Sequence, residues 1–411
     1  MADLVVLTGD KTIHHIEPVL QRLGMEVAQA TYDLDTILSH HPKVVLCLDD
    51  HHLLYAHVLA QVRQRNIGIL MMFDGILEWR RTFEYPLEGE HLPFEQPVGA
   101  HKIACLGASQ ARLLESWGNV GKCELVGVPR FDPLAANRPA LPSGPPYRVL
   151  VMTAKTPGFN KEQFEACRRS IEEVRAEAAN IPHVELVWRV SPKIQAALGL
   201  PEQGLDTRGA DLHQQLAGVH AVLTTMSTAY LESLLAGRPT AILDYTNSPH
   251  FISSSWRICC REHIAPVLRE LLNPPKVKLA YQEFVLRDSL YLEEPAADRL
   301  ARLLKTMVEH VKGSTAGTAL RFPDGMLSVR SPGMGERPDW QRDYAAYPHL
   351  SPDATAPTAR DYQAAVSTAL YWETKHRDYV QRLNRIPVLG FIKRNVGRLL
   401  GINRKSRYRA S

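Results

Sequence analysis

At 411 residues the chain exceeds the roughly 250–300 residues at which a single hydrophobic core stops growing, so two domains are expected. A composition of 45% hydrophobic and 22% charged residues is ordinary for a globular protein and argues against a disordered or membrane-spanning class. The net charge of +4 gives no case for a whole-surface nucleic-acid binder.

No stretch has the roughly 18 apolar residues that a spanning helix needs, and the start, MADLVVLTGD, runs into a strand without a basic leader, so a cytoplasmic protein is expected. Cys47, Cys105, Cys123, Cys167, Cys259 and Cys260 show no metal-ligand spacing and are read as reduced packing residues.

The chain opens with LVVLT (4–8), a helix to about residue 23, EVAQA, KVVLCL (43–48), a helix around 53–65 and GILMMF (68–73). Short β-branched runs alternating with amphipathic stretches predict βαβ units on a mostly parallel sheet. After an irregular insertion, IACL (103–106), a helix over 109–117 and CELVG (123–127) extend the same layer. The Pro-rich run 133–146 predicts a linker.

The pattern restarts with YRVLVMT (147–153), a charged helix over about 160–179, VELVWRV (184–190), HAVLTT (220–225), a helix beginning at Ser227 and TAILDY (240–245). The expected fold is therefore α/β, with two Rossmann-like domains at 1–132 and 147–312. Residues 313–360 are rich in Gly, Pro, Ser and Asp and predict an irregular loop or lid. Residues 361–411 predict a helix and a basic amphipathic tail, where nine Lys and Arg meet no acid after Asp378.

Doubly wound sheets bind ligands beyond the carboxyl ends of their strands, which directs attention to four strand exits. The first is HAVLTTMSTAYLESLLAGRPTAILDY (220–245), where Thr225, Ser227 and Thr228 open a helix whose free amides and dipole suit a phosphate. Glu232, a turn and a half further on, reaches a ribose hydroxyl of the same nucleotide. The alternative is that Ser227 and Thr228 only cap the helix and Glu232 is solvated.

This segment resembles the C-terminal nucleotide-binding segment of GT-B glycosyltransferases, in which a hydroxyl-rich turn precedes a helix bearing Glu and then Gly-x-Pro. The resemblance implies a donor phosphate at the turn and two domains facing across a cleft.

CELVGVPRFDPL (123–134) resembles the segment that ends the first domain in CDP-glycerol transferases and sugar epimerases of that fold, making Arg130 a cleft candidate. The alternative pairs Arg130 with Asp132. In MMFDGILEWRRTFEYP (71–86), Asp74 ends a strand beside Gly75, a place suited to a general base or a nucleophile. It resembles the acidic motif of bacterial sialyltransferases with Phe73 in place of the first acid, and Glu78 and Glu84 are substitutes.

VWRVSPK (187–193) stands where capsule, sialic-acid and CDP-glycerol transferases often carry His-Pro. Ser191 replaces the His, leaving Arg189 and Lys193 to supply positive charge to a leaving phosphate. Lys155 and Gly158, in TAKTPGFN (153–160), make a further candidate contact. Asp33-Leu34-Asp35 matches a DxD pattern that belongs to another architecture, so no metal and no cofactor are expected. Asp49-Asp50-His51-His52 is a weak substrate candidate.

The resulting expectation is a GT-B-type, metal-independent glycosyltransferase of surface-polysaccharide assembly, in capsule or lipopolysaccharide, with a CMP-linked ulosonic acid such as Kdo as leading donor. Its partners are a nucleotide-sugar donor, a glycan or lipid-linked acceptor and, through the basic tail, an anionic membrane surface, the alternative for the tail being a final helix packed back on the first domain with its basic residues in water; no nucleic acid is expected. The alternatives are a CDP-glycerol-type glycerophosphotransferase, a sugar epimerase and a non-catalytic nucleotide-sugar-binding or interaction protein.

Overall fold

The computed structural model describes residues 2–7, 15–50, 52–84, 95–200, 212–315 and 318–327, with side chains for all of these but residue 53. All of them fall in one compact unit, Met1–Ala346. The basic tail and most of the expected lid lie outside the described residues.

The first half runs β1 (Leu4–Leu7), α1 (Glu17–Leu23), β2 (Val27–Ala30), α2 (Leu34–Ser39), β3 (Val44–Cys47), α3 (Leu53–Gln64), β4 (Gly68–Met72), β5 (Lys102–Cys105), α4 (Ala108–Ser116), β6 (Cys123–Leu125) and α5 (Asp132–Ala136). The second half adds β7 (Tyr147–Met152), α6 (Lys161–Ala178), β8 (Val184–Arg189), α7 (Pro192–Leu198), α8 (Leu212–Ala217), β9 (Ala221–Thr224), α9 (Thr228–Leu235), β10 (Thr240–Leu243), β11 (Trp256–Ile258), α10 (Ile264–Leu272), α11 (Lys276–Ser289) and α12 (Ala296–Lys312).

The strands form two all-parallel sheets, β2-β1-β3-β4-β5-β6 and β11-β10-β9-β7-β8. Alternating side chains explain why the strands read as continuous apolar runs, since both faces are covered. Val5 and Leu7 point into the core that continues to Leu150 and Met152 of the second sheet. Leu4 and Val6 face α1 and α12, and Val149 and Val151 face α6 and α10.

Two differences from the sequence reading have clear causes. The run expected as a linker from residue 133 begins inside α5, because Pro133 sits in the first helical turn, where its missing N–H costs nothing. The stretch 147–312, read as one domain, supplies helices to both sheets. Helix α12 turns Ala297, Leu300, Ala301, Leu304, Met307 and Val308 onto the first sheet.

The chain therefore crosses back at Leu290–Pro295. At that crossing Gly107 lets α4 meet the end of α11, because a Cβ there would lie 2.4 Å from the Ser289 carbonyl carbon. Asp132 receives the backbone N–H groups of Ala296 and Ala297 at 2.8 and 2.9 Å, which caps α12.

Candidate active site

In each sheet the strand order reverses once, between β1 and β3 and between β7 and β9, and such switch points open the crevice where α/β proteins hold ligands. At the second switch point Thr225, 6% exposed, accepts the N–H of Ala154 through Oγ1 at 2.7 Å. This bond ties the exit of β9 to the exit of β7 and holds the Lys155 loop beside the start of α9. Next along, Thr153 Oγ1 accepts the Ser191 N–H at 2.8 Å, which joins the β8 exit to the same edge.

Ser227 is the N-cap of α9 in extended conformation, and its side chain makes no capping bond. The neighbouring Thr228 hydroxyl looks outward to the first sheet, where its Oγ1 accepts the Ile76 N–H at 3.2 Å. Gly75 is required there, since a Cβ would lie 2.3 Å from that same oxygen. The loop after β4, which carries Asp74, is thus seated on the N-terminus of α9. A cavity at this junction is lined by Asp74, Gly75, Glu78, Arg81, Thr82 and Thr228, among others.

Further along α9, Glu232 is 4% exposed and forms an ion pair with Arg130, with His213 Nε2 3.7 Å from its second oxygen. The solvated alternative for Glu232 does not hold. Arg130 pairs with this glutamate and not with Asp132, which α12 has engaged. The Arg130 guanidinium also lies 4.5 Å from the Phe131 ring centroid, a cation–π arrangement.

Arg189 donates to Gln215 Oε1 at 3.1 Å. Lys155 and Lys193 are exposed at the same edge of the second sheet. The structure thus brings Asp74 to Thr228 and Arg130 to Glu232, and sets Thr225, Lys155, Arg189 and Lys193 on the strand exits around them.

Other acids singled out by the sequence have partners of their own, Glu78 while also lining the Asp74 cavity. Glu78 binds Arg80 at 2.9 Å, and Glu84 accepts from Gln163 at 2.6 Å. Asp33 caps α2 through the Thr36 N–H at 2.8 Å. Asp50 accepts the Gly99 N–H at 2.8 Å, and His52 caps α3. Burial pushes the thiols of Cys47 and Cys105 up, which suits packing residues.

Several residues of the cleft carry no signal in the sequence. The segment Arg80–Glu84 is π-helical, a rare conformation frequent at functional sites. Its Arg80 is 7% exposed and lines a polar cavity with Gln163, Thr225, Asp244, Thr246 and His250 of the second half. Burial alone would raise the Asp244 carboxyl, but His250, Arg257 and Thr246 hold it well below the usual range. His15 lies beside Asp74, with Nε2 3.5 Å from Oδ2. A β10-end acid followed six residues later by His was the one local hint of the Asp244 cluster.

Two parallel Rossmann-like sheets, with the candidate site at their carboxyl edges, define the GT-B fold. The solved structures that match share it at low identity. A wall teichoic acid polymerase TagF soaked with CDPG superposes with TM-score 0.51 and 12% identity over 76% of this chain and 90% of that one. The Staphylococcus aureus MnaA–UDP structure gives 0.52 and 14% over 79% and 100%. The Methanocaldococcus jannaschii UDP-GlcNAc 2-epimerase, in complex with UDP-GlcNAc and UDP, gives 0.50 and 12% over 74% and 99%. No sequence family model matches the chain, and no curated protein sequence does. No helix among the described residues is long and apolar enough to cross a membrane.

Proposed function

We propose that the protein is a glycosyltransferase that moves a sugar from a nucleotide-activated donor to a glycan or lipid-linked acceptor without a metal ion. The observation that carries this reading is the seating of the Asp74 loop on the N-terminus of α9, through Ile76 and Thr228. A carboxylate and a helix N-terminus then face one small cavity from opposite sheets. That is the geometry in which one side handles the acceptor and the other the leaving phosphate.

In this account the donor phosphate lies at Ser227 and Thr228, where helix amides and dipole favour an anion. Arg130, Lys155, Arg189 and Lys193 add positive charge around it, and Glu232 with Arg130 reads the ribose. As the bond from the anomeric carbon to the phosphate oxygen breaks, its electron pair leaves with the nucleotide. Asp74 takes the proton of the acceptor hydroxyl while the new carbon–oxygen bond forms, or attacks the anomeric carbon first and is displaced by the acceptor.

A CMP-linked ulosonic acid such as Kdo is the leading donor candidate, and surface-polysaccharide assembly, in capsule or lipopolysaccharide, is the role, carried out at the inner face of the cytoplasmic membrane. The basic tail is proposed to lie on anionic lipid there. A second reading, glycerophosphate transfer from a CDP-linked donor, is favoured by the likeness to the CDPG-soaked polymerase.

The test is nucleotide release from a panel of CMP-Kdo, CMP-sialic acid, CDP-glycerol, UDP-GlcNAc and UDP-glucose. One donor is expected to release nucleotide, and Asp74→Asn to slow that release by about 100-fold or more. No release from any donor, or release untouched by Asp74→Asn, contradicts the proposal.

A further inference from the structure

We propose that His15 is the positioning residue of Asp74, an inference that rests on the glycosyl-transfer reading and assigns a residue to it from two strands away. His15 stands beyond the exit of β1 and just before α1, whereas Asp74 follows β4, and β3 lies between those strands. The imidazole nevertheless comes to the carboxylate, with Nε2 3.5 Å from Oδ2.

The two side chains differ in access. That of His15 is 16% exposed and that of Asp74 is 50% exposed. Asp74 lines the cavity shared with Thr228, and His15 is not among the residues that line it. The accessible group is thus the carboxylate, and the imidazole stands behind it. The Nε2 edge of the imidazole faces Oδ2 at 3.5 Å, which leaves Oδ1 as the oxygen that meets the acceptor hydroxyl or the anomeric carbon.

This division of labour is what a reacting carboxylate on a loop needs. Asp74 lies past the end of β4, beside the Gly75 turn, with half of its side chain exposed, so a neighbouring side chain can fix its rotamer. A misplacement of about 1 Å at a reacting group can cost on the order of 100-fold in rate. Held by His15, the carboxylate is directed at the cavity before substrate arrives, and no reorganisation is needed in the transition state.

The test compares wild type, His15→Ala and His15→Gln in the nucleotide-release assay, using the donor from the panel that the wild type turns over. The glutamine amide places an N–H near the position of Nε2 but cannot act as a base. His15→Ala is expected to lower kcat about 10- to 100-fold with the donor KM unchanged, and His15→Gln to restore most of the loss.

Equal kcat in His15→Ala and wild type overturns the inference and leaves the parent reading standing. Equal loss in both variants also overturns it, since an N–H held at the position of Nε2 would then not be what the carboxylate needs. A change confined to KM or to Tm also overturns it, since a merely structural histidine would act there. Absence of turnover in the wild type with every donor removes the parent reading and this inference together.

Discussion

Glu232 and Arg130 are 102 residues apart in sequence and joined in one ion pair, with Glu232 almost fully buried. Removing one partner of a buried pair strands the other, so Glu232→Ala is expected to destabilise the protein by about 1–3 kcal/mol. Arg130 keeps 26% of its side chain exposed, which holds the loss below that of a fully buried pair. Urea denaturation reads the value, and an unchanged midpoint would show the pair to be dispensable. Gly75→Ala belongs to the same scale. Its Cβ has no space against Thr228 Oγ1, so the variant is expected to lose nucleotide release while each sheet stays folded. Full activity in that variant would mean that the two loops need not touch. The placement of Asp74, Ser227 and Thr228 just past strand ends was legible in the sequence, because each follows an apolar run at a turn. His15 was not legible, since Asp74 comes from another strand, and the cavity that Arg80 and Asp244 share joins segments far apart in sequence.

Among the elements, α12 shows how a local pattern hides its destination. Its apolar stripe is plain in the sequence, but a stripe does not say which sheet it covers, and only the crossing at Leu290–Pro295 settles that. Leu304 is fully buried against the first sheet, so Leu304→Ala is expected to cost about 2–5 kcal/mol. A loss near zero in urea denaturation would contradict that packing. The π-helical segment was similarly invisible, since its i→i+5 pairing has no compositional signature. At the entrance to β5, His101 accepts the Ile69 N–H through Nδ1 at 3.1 Å and packs edge-on to Phe322. Burial, with Arg63 and Lys122 nearby, pushes its pKa down to about 4. The unfolded chain binds this proton from about pH 6.5, whereas the folded chain refuses it until about pH 4. His101 thus contributes stability that is present above pH 6.5 and is lost as the pH falls towards 4, by up to about 1.4 kcal/mol per unit. Tm is expected to fall over that interval, and less steeply in His101→Asn; equal slopes would contradict the assignment.

For the whole molecule, the restart of the βαβ rhythm at Tyr147 was enough to read two parallel sheets. The continuous apolar strands follow from covering both faces of each sheet. What no local pattern carried was the joint between the sheets, a shared apolar core with polar contacts such as Ile76 to Thr228 and Gln163 to Glu84. The central claim is that the N-terminus of α9 is a nucleotide site. Because the Ser227 hydroxyl makes no capping bond, Ser227→Ala should leave the fold intact and weaken only a ligand. The most direct measurement is therefore a thermal-shift series with CMP, CDP, UDP and GDP on wild type and Ser227→Ala. Selective stabilisation by one nucleotide, about 2.7 kcal/mol at one hundred times Kd, and its reduction in Ser227→Ala, is the predicted result. No stabilisation by any nucleotide, or a shift that Ser227→Ala leaves unaltered, would contradict it.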